Sequence, residues 1–305
     1  MHLLVDGLCM CCLFLLATAA GYDNIVHALI TYNILAFLTQ PITGMLADRM
    51  PHRYWLLMAS NVLLLLAVAM AVILTSNSYL SVIGLMTTAT LLGIGNSLFH
   101  VWGGKQMSAA TGNDIRALGV FVSTGAFGLA LGMLLCSWLT LFCFLLAIHL
   151  LSTVLLHYGQ QADCQSSGAT SQPFHWLMTR ALMFGLMAFV MLRSLTGESF
   201  TKGIPRTDAI VLTIGIVAMA GKMAGGWIAR GMGIVPSLAA MLAATLICYM
   251  SKEMGLGVQL TGLFAINCTM PVTLYLANVV LRGREGLAFG LLAAALIPGY
   301  LLAIT

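Results

Sequence analysis

Apolar segments of about twenty residues recur along this chain, and the loops between them are short and carry most of its charge. An apolar helix of that length crosses the hydrocarbon of a bilayer. No water is present there to bond backbone N–H and C=O groups, so a helix, which closes its own hydrogen bonds, is the form such a segment takes. Composition agrees: 7% of the residues are charged and 60% hydrophobic, where a soluble domain carries roughly a quarter charged residues. Eleven segments qualify, over approximately 1–19, 24–48, 54–74, 79–102, 117–136, 138–158, 176–196, 207–230, 234–251, 256–280 and 286–304. The predicted fold class is an all-α polytopic membrane protein.

The stretch GQQADCQSSGATSQP, from Gly159 to Pro173, is the one long polar segment, and it divides the chain. A six-helix half (1–158), a cytoplasmic linker (159–175) and a half of five helices (176–305) are expected. Alternate loops hold Arg49, Arg53, Lys105, Arg116, Arg180, Arg230, Arg282 and Arg284, while the opposite loops hold Lys202, Arg206 and Lys252. That excess places the first set, the linker and the N-terminus in the cytoplasm and Thr305 outside. The net charge of +4 is thus an orientation signal and not a nucleic-acid footprint. No cleavable leader is visible, and the expected location is the plasma (inner) membrane. The eight cysteines have no ligand spacing and read as packing residues. No G-x-S-x-G, P-loop or H-E-x-x-H occurs and no two carboxylates share a predicted site, so no enzyme, metal or cofactor is expected. Without a nucleotide loop, work has to come from an ion or substrate gradient.

One loop carries more than orientation. GMLADRMPHR, from Gly44 to Arg53, resembles the loop G-x-L-A-D-R-x-G-R-R between helices 2 and 3 of the major facilitator superfamily, with Pro51 and His52 departing from it. LLGIGNSLFHVWGGKQM (91–107), RALGVFVSTGAFGLALG (116–132) and HLLVD (2–6) resemble helices 4, 5 and 1 of its fosmidomycin-resistance branch. MPVTLYLANVVLRGREGLAFGL (270–291) is similar to helices 10 and 11 of such transporters. The resemblance implies two pseudo-symmetric halves rocking about a midplane cavity, and against the family's twelve helices this chain lacks the last. It also departs where many drug/proton antiporters carry an arginine in helix 4 (TTATLLGIGN here) and Gly-Pro in helix 5 (GAFGLALG here).

Asp48 is expected to meet the positive N-terminal end of helix 11 near Gly286, with Gly44 allowing close approach and Arg49 and Arg53 adding ion pairs or contacts with anionic lipid. GKMAGGWIARGMG, with Gly221, Gly225 and Arg230, closes the eighth helix as a counterpart. Ionisable residues inside a membrane are costly and normally face a cavity. Asp6 and His100 lie near the cytoplasmic ends of helices 1 and 4, at similar depth. Together they read as a proton or substrate site, or else as a helix cap and a satisfied histidine. Arg193 and Glu198, near the outer end of helix 7, read as an anion contact, a paired outer gate, or an interfacial arginine that snorkels. Lys222 is expected to snorkel, His2 to be interfacial, and His27 and His149 to be packing residues. Asn267, Thr269, Thr273 and Tyr275 surround Pro271 in helix 10 as a polar, cavity-lining face.

The expected function is secondary active transport, as proton-coupled export of a small organic molecule by a monomer. The alternatives are a gradient-independent facilitator or importer, and a non-transporting relative serving as scaffold or sensor.

Overall fold

The computed structural model describes residues 1–20, 22–50, 54–76, 81–159 and 176–304. The linker, Thr305, and Pro51, His52 and Arg53 of the second loop lie outside them. In the described residues the secondary structure is helical: α1 (His2–Ala20), α2 (Tyr22–Leu38), α3 (Gln40–Arg49), α4 (Tyr54–Ser76), α5 (Val82–Ala110), α6 (Ile115–Leu134), α7 (Trp138–Gly159), α8 (Trp176–Thr201), α9 (Asp208–Met232), α10 (Ile234–Met250), α11 (Leu256–Val280), α12 (Glu285–Ala294) and α13 (Ile297–Ile304), with one 3-10 turn at Lys252–Met254. Ten stretches are long and apolar enough to cross a membrane, two of them built from the pairs α2/α3 and α12/α13, and α10 is a shorter apolar helix of 17 residues.

Two expected helices, those that hold Pro41 and Pro298, are broken in two. Pro41 has no N–H to continue the ladder across the α2/α3 junction. Side chains take over: the Thr39 hydroxyl donates to the Leu35 carbonyl at 2.6 Å and the Gln40 amide to Ala36 at 2.7 Å. At the second break the Leu296 carbonyl accepts from Ser194 of α8 at 3.1 Å. Other ends have ordinary causes, since Ser81, Asp114 and Thr207 cap α5, α6 and α9 with side-chain oxygens.

Two helices outrun their expected ends, and the difference matters. α5 continues ten residues past His100, about 15 Å of rise. Gly103 and Gly104 do not stop it, because the rings of Phe121 and Phe289 occupy the space a side chain would need. α8 likewise continues to Thr201 and leaves Arg193 two turns inside. Both residues therefore sit within the bundle and not at its rim.

α1 is enclosed by α2, α5, α6 and α7, with Val5, Leu8, Cys9, Leu13 and Leu16 fully buried. The first six spans meet the later ones along two seams, α3 against α12 and α6 against α9. Small residues make these approaches possible, as expected where packing and not hydrophobicity joins helices. A Cβ on Gly44 would strike the Gly286 backbone, and one on Gly226 would strike the Ile115 carbonyl. Outward, large apolar side chains such as Leu139, Leu246 and Val235 are more than half exposed, the pattern of a surface solvated by lipid.

Gly225 lies against the Cys268 carbonyl of α11, so a Cβ there meets backbone that cannot give way. Gly225→Leu is expected to cost at least about 1–3 kcal/mol and to lower the unfolding temperature in detergent. Gly231→Ala, which meets nothing within 4 Å, should leave that temperature unchanged within a degree or so.

Candidate functional site

A cavity of about 520 Å³ lies between the two groups of spans, lined by residues of α1, α2, α5, α6, α8, α9, α11, α12 and α13. It reaches the surface beside the exposed Arg206. At its other end stand His2, Asp6, Asn96 and His100, each at most 9% exposed.

Their hydrogen bonds fix the protons. His2 Nδ1 lies 2.7 Å from the Phe121 carbonyl and His100 Nδ1 lies 2.9 Å from the Asn96 carbonyl. A carbonyl only accepts, so both Nδ1 atoms carry hydrogen. The two Nε2 atoms then face one another at 2.8 Å, a distance that needs one proton between them. Two rings holding three protons amount to one imidazolium and one neutral imidazole. The compensating charge is Asp6, whose carboxylate oxygens lie 3.3 Å from His2 Nε2 and 3.5 Å from His100 Nε2 and accept from Asn96 Nδ2 at 2.9 Å. Asp6 and the ring pair together are electrically neutral, which is how a carboxylate is tolerated at this depth.

The same three residues offer metal-ligand atoms within 4.8 Å of one another. Two nitrogens on one tetrahedral ion at about 2.0–2.1 Å stand about 3.3 Å apart. At 2.8 Å the rings are spaced for a shared proton.

Aromatic rings carry this cluster across to the other half. Phe121 stacks on His2 with centroids 4.7 Å apart, and Phe289 of α12 lies 6.4 Å from His100 and 6.1 Å edge-on to Phe121. α12 is also the helix that Asp48 grips. Asp48 Oδ1 accepts from the Gly286 N–H at 3.0 Å and Oδ2 from the Leu287 N–H at 2.8 Å, both in its first turn. This joins a carboxylate to the positive end of a helix. Lys105 Nζ lies 2.9 Å from Asp48 Oδ1 and donates to the Ala47 carbonyl at 2.8 Å. The ion pair is thus made by a lysine of α5, while Arg49 is exposed. Nearby, Asn278 of α11 donates to Ser108 at 3.1 Å and to Asn113 at 2.8 Å, a second link between the halves.

The second seam has no carboxylate latch of that kind among the described residues. Gly221 and Gly225 pack on α11 at Phe264 and Cys268, and Arg230 is exposed. What crosses the α6–α9 seam is the Arg116 guanidinium, 5.3 Å above the Trp227 ring. Arg116 also holds the Asp114 carboxyl down at about 2, so the α6 cap stays ionised at physiological pH.

Of the other candidates, Arg193, Glu198 and Asn267 line the cavity. Arg193 and Glu198 form no ion pair with each other among the described residues; Arg193 donates to Thr273 at 3.3 Å, and Glu198 feels the charge of Arg206. Thr269 turns away, donating to the Ile266 carbonyl at 2.7 Å, and Tyr275 packs among apolar side chains. The cavity face of α11 is Leu263, Ile266, Asn267, Met270, Thr273 and Leu274. Lys222 also lines the cavity and does not reach for the interface. His2, Asn96 and Lys105 are the functional side chains that sequence reasoning passed over. Only His2 had a visible signal, its place one helical turn before Asp6.

No protein-family model and no curated protein matches the chain. Solved structures match 99% of it. They include the human organic anion transporter MFSD10, at 18% identity and TM-score 0.69 over 91% of that chain. A bacterial homologue of the iron transporter ferroportin, in its outward-facing state, aligns at 16% identity and TM-score 0.64 over 90% of its length. FucP, a major facilitator superfamily transporter in its outward conformation, aligns at 14% and 0.63 over 89%. At such identities the likeness is one of fold, and the fold is that of the major facilitator transporters, all-α and polytopic.

Proposed function

We propose that this protein is a proton-coupled transporter that moves a small organic molecule by alternating access, with the neutral cluster of Asp6, His2 and His100 as its proton site. The observation that carries this reading is the 2.8 Å approach of two Nε2 atoms beside a buried carboxylate, a distance that a shared proton accounts for. Removing it leaves two lone pairs opposed at 2.8 Å and an uncompensated Asp6. Adding another opposes two imidazoliums. Either change favours separation of the rings, and Phe121 and Phe289 pass that movement to α12. The other polar groups facing the cluster are Cys9 and Asn96 at Asp6, Tyr32 on Cys9, and Lys222, whose charge acts on His100.

The Asp48 end, with Arg49, Lys105, Arg116, Arg230, Arg282 and Arg284, is the cytoplasmic side by its excess of positive charge. In that orientation the cytoplasmic side is closed by Asp48 on α12 and the cavity opens outward past Glu198 and Arg206. Export is the direction that the resemblance to the fosmidomycin-resistance branch favours, while a fucose:proton symporter shares the fold.

The test is a compound screen in proteoliposomes that hold an internal pH dye and an imposed pH gradient. Wild-type protein is expected to dissipate the gradient only with a transported compound, and Asp6→Asn to lower that rate tenfold or more while its unfolding temperature stays within a few degrees. Wild-type rates in Asp6→Asn would remove Asp6 from the mechanism, and compound entry indifferent to an uncoupler would identify a facilitator. A second prediction concerns the latch. Asp48→Asn should raise several-fold the maleimide labelling of a cysteine placed at Ala288, which is fully buried on α12. Lys105→Gln should have a smaller effect, because the helix-end bonds to Asp48 remain. Equal labelling in all three proteins would show that the carboxylate does not hold this side shut.

A further inference from the structure

We infer that the cavity is an organic-anion site, in which Arg193 of α8 and Lys222 of α9 bind a carboxylate or phosphonate whose apolar body lies among Met10, Phe37, Val122 and Leu292; this rests on the transporter reading above.

The argument is a balance of charge. Besides Tyr32 and Tyr300, seven ionisable side chains line the cavity among the described residues: His2, Asp6, His100, Arg193, Glu198, Arg206 and Lys222. Asp6 is neutralised by the proton of the ring pair, and Glu198 lies in the field of Arg206 at the cavity mouth. Arg193 and Lys222 are left. Arg193 is 8% exposed, and its one hydrogen-bond partner among the described residues is the neutral Thr273 hydroxyl. Lys222 has neither a carboxylate nor a hydrogen-bond acceptor among the described residues. The charges of Arg193 and, in the opposite sense, of Asp6 act on it; with Asp6 already balanced by the ring pair, the two cations face the same space.

A cation without a counter-ion against a mostly apolar wall inside a membrane is costly. Membrane helices normally pair such residues with each other or with backbone carbonyls. Two like charges facing one cavity are relieved together when an anion enters. Guanidinium and ammonium groups both suit carboxylate and phosphonate oxygens, the first through its planar fork and the second as a point charge. The apolar remainder of the wall excludes a bare inorganic anion as the best fit and favours one that carries a hydrophobic group. Because Arg193 and Lys222 come from the spans after the linker and Asp6 and His100 from those before it, anion and proton would meet the two halves from opposite sides.

The experiment is thermal unfolding of the purified full-length protein in neutral detergent at fixed pH, with benzoate, phenylphosphonate, inorganic phosphate and the neutral benzamide as probes. Benzoate or phenylphosphonate should raise the unfolding temperature by a few degrees, while phosphate and benzamide should shift it little. Arg193→Gln and Lys222→Gln should each abolish the shift, and Lys222→Arg should restore part of it. The restoring variant separates charge from folding. The proposal is overturned if benzamide matches the anions, if the shift survives both glutamine variants, or if neither organic anion shifts the wild-type protein. No pH gradient is present in this assay. An anion-dependent shift in a protein that shows no gradient-driven transport would therefore sink the proton-coupled reading and leave the anion site standing.

Discussion

A carboxylate placed in hydrocarbon must find its counter-charge inside the protein, and Asp6 lies against two histidines whose Nε2 atoms face each other at 2.8 Å. Much of the arrangement around it follows from that need. His100 has to lie well inside the bundle to reach Asp6, so α5 must run on past it. α5 does so because Phe121 and Phe289 fill the room beside Gly103 and Gly104. His2 must turn its other nitrogen to a fixed acceptor, and the Phe121 carbonyl of α6 supplies one. The rings that close this space come from α6 and α12, so the cluster is in contact with spans from both sides of the cavity.

The second charged centre works by a different physical rule. Asp48 is held by the N–H groups that a helix end leaves without partners in the helix and by one lysine, all outside the cavity. Such a clamp joins rigid elements without enclosing anything. Its helix, α12, is the same one that touches the histidines through Phe289. The histidine–aspartate cluster and the clamp thus meet on one helix. The α6–α9 seam, joined by glycine packing and by Arg116 over Trp227, has no comparable charge clamp among the described residues and is suited to act as the pivot.

From sequence alone the solvent, the helical class and the approximate spans were legible, because length and hydropathy in a bilayer leave few alternatives. Asp48 and its helix-end partner were legible too, since ten residues of loop carried the pattern. Asp6 and His100 could be singled out because a charged or titratable side chain is rare in an apolar helix. What could not be read was which face each helix turns inward. Around Pro271 the polar residues Asn267, Thr269, Thr273 and Tyr275 looked equivalent, and packing against α8, α9 and α12 put Asn267 and Thr273 on the cavity and the other two elsewhere. Lys222 looked like a snorkelling lysine for the same reason, since composition does not say whether the water it reaches lies at the interface or in a cavity.

The sequence by itself determined that this chain must cross a membrane as helices and must account internally for each buried charge, because hydrocarbon offers neither hydrogen bonds nor ions. The tertiary structure alone decided how the accounts close. It set His2 and His100 nitrogen to nitrogen beside Asp6, gave Asp48 to Lys105 and α12, and left Arg193 and Lys222 facing the cavity without an ion pair among the described residues. These pairings join residues up to 239 positions apart. Local pattern carries no information over such distances; helix packing does, by bringing specific faces within hydrogen-bonding reach.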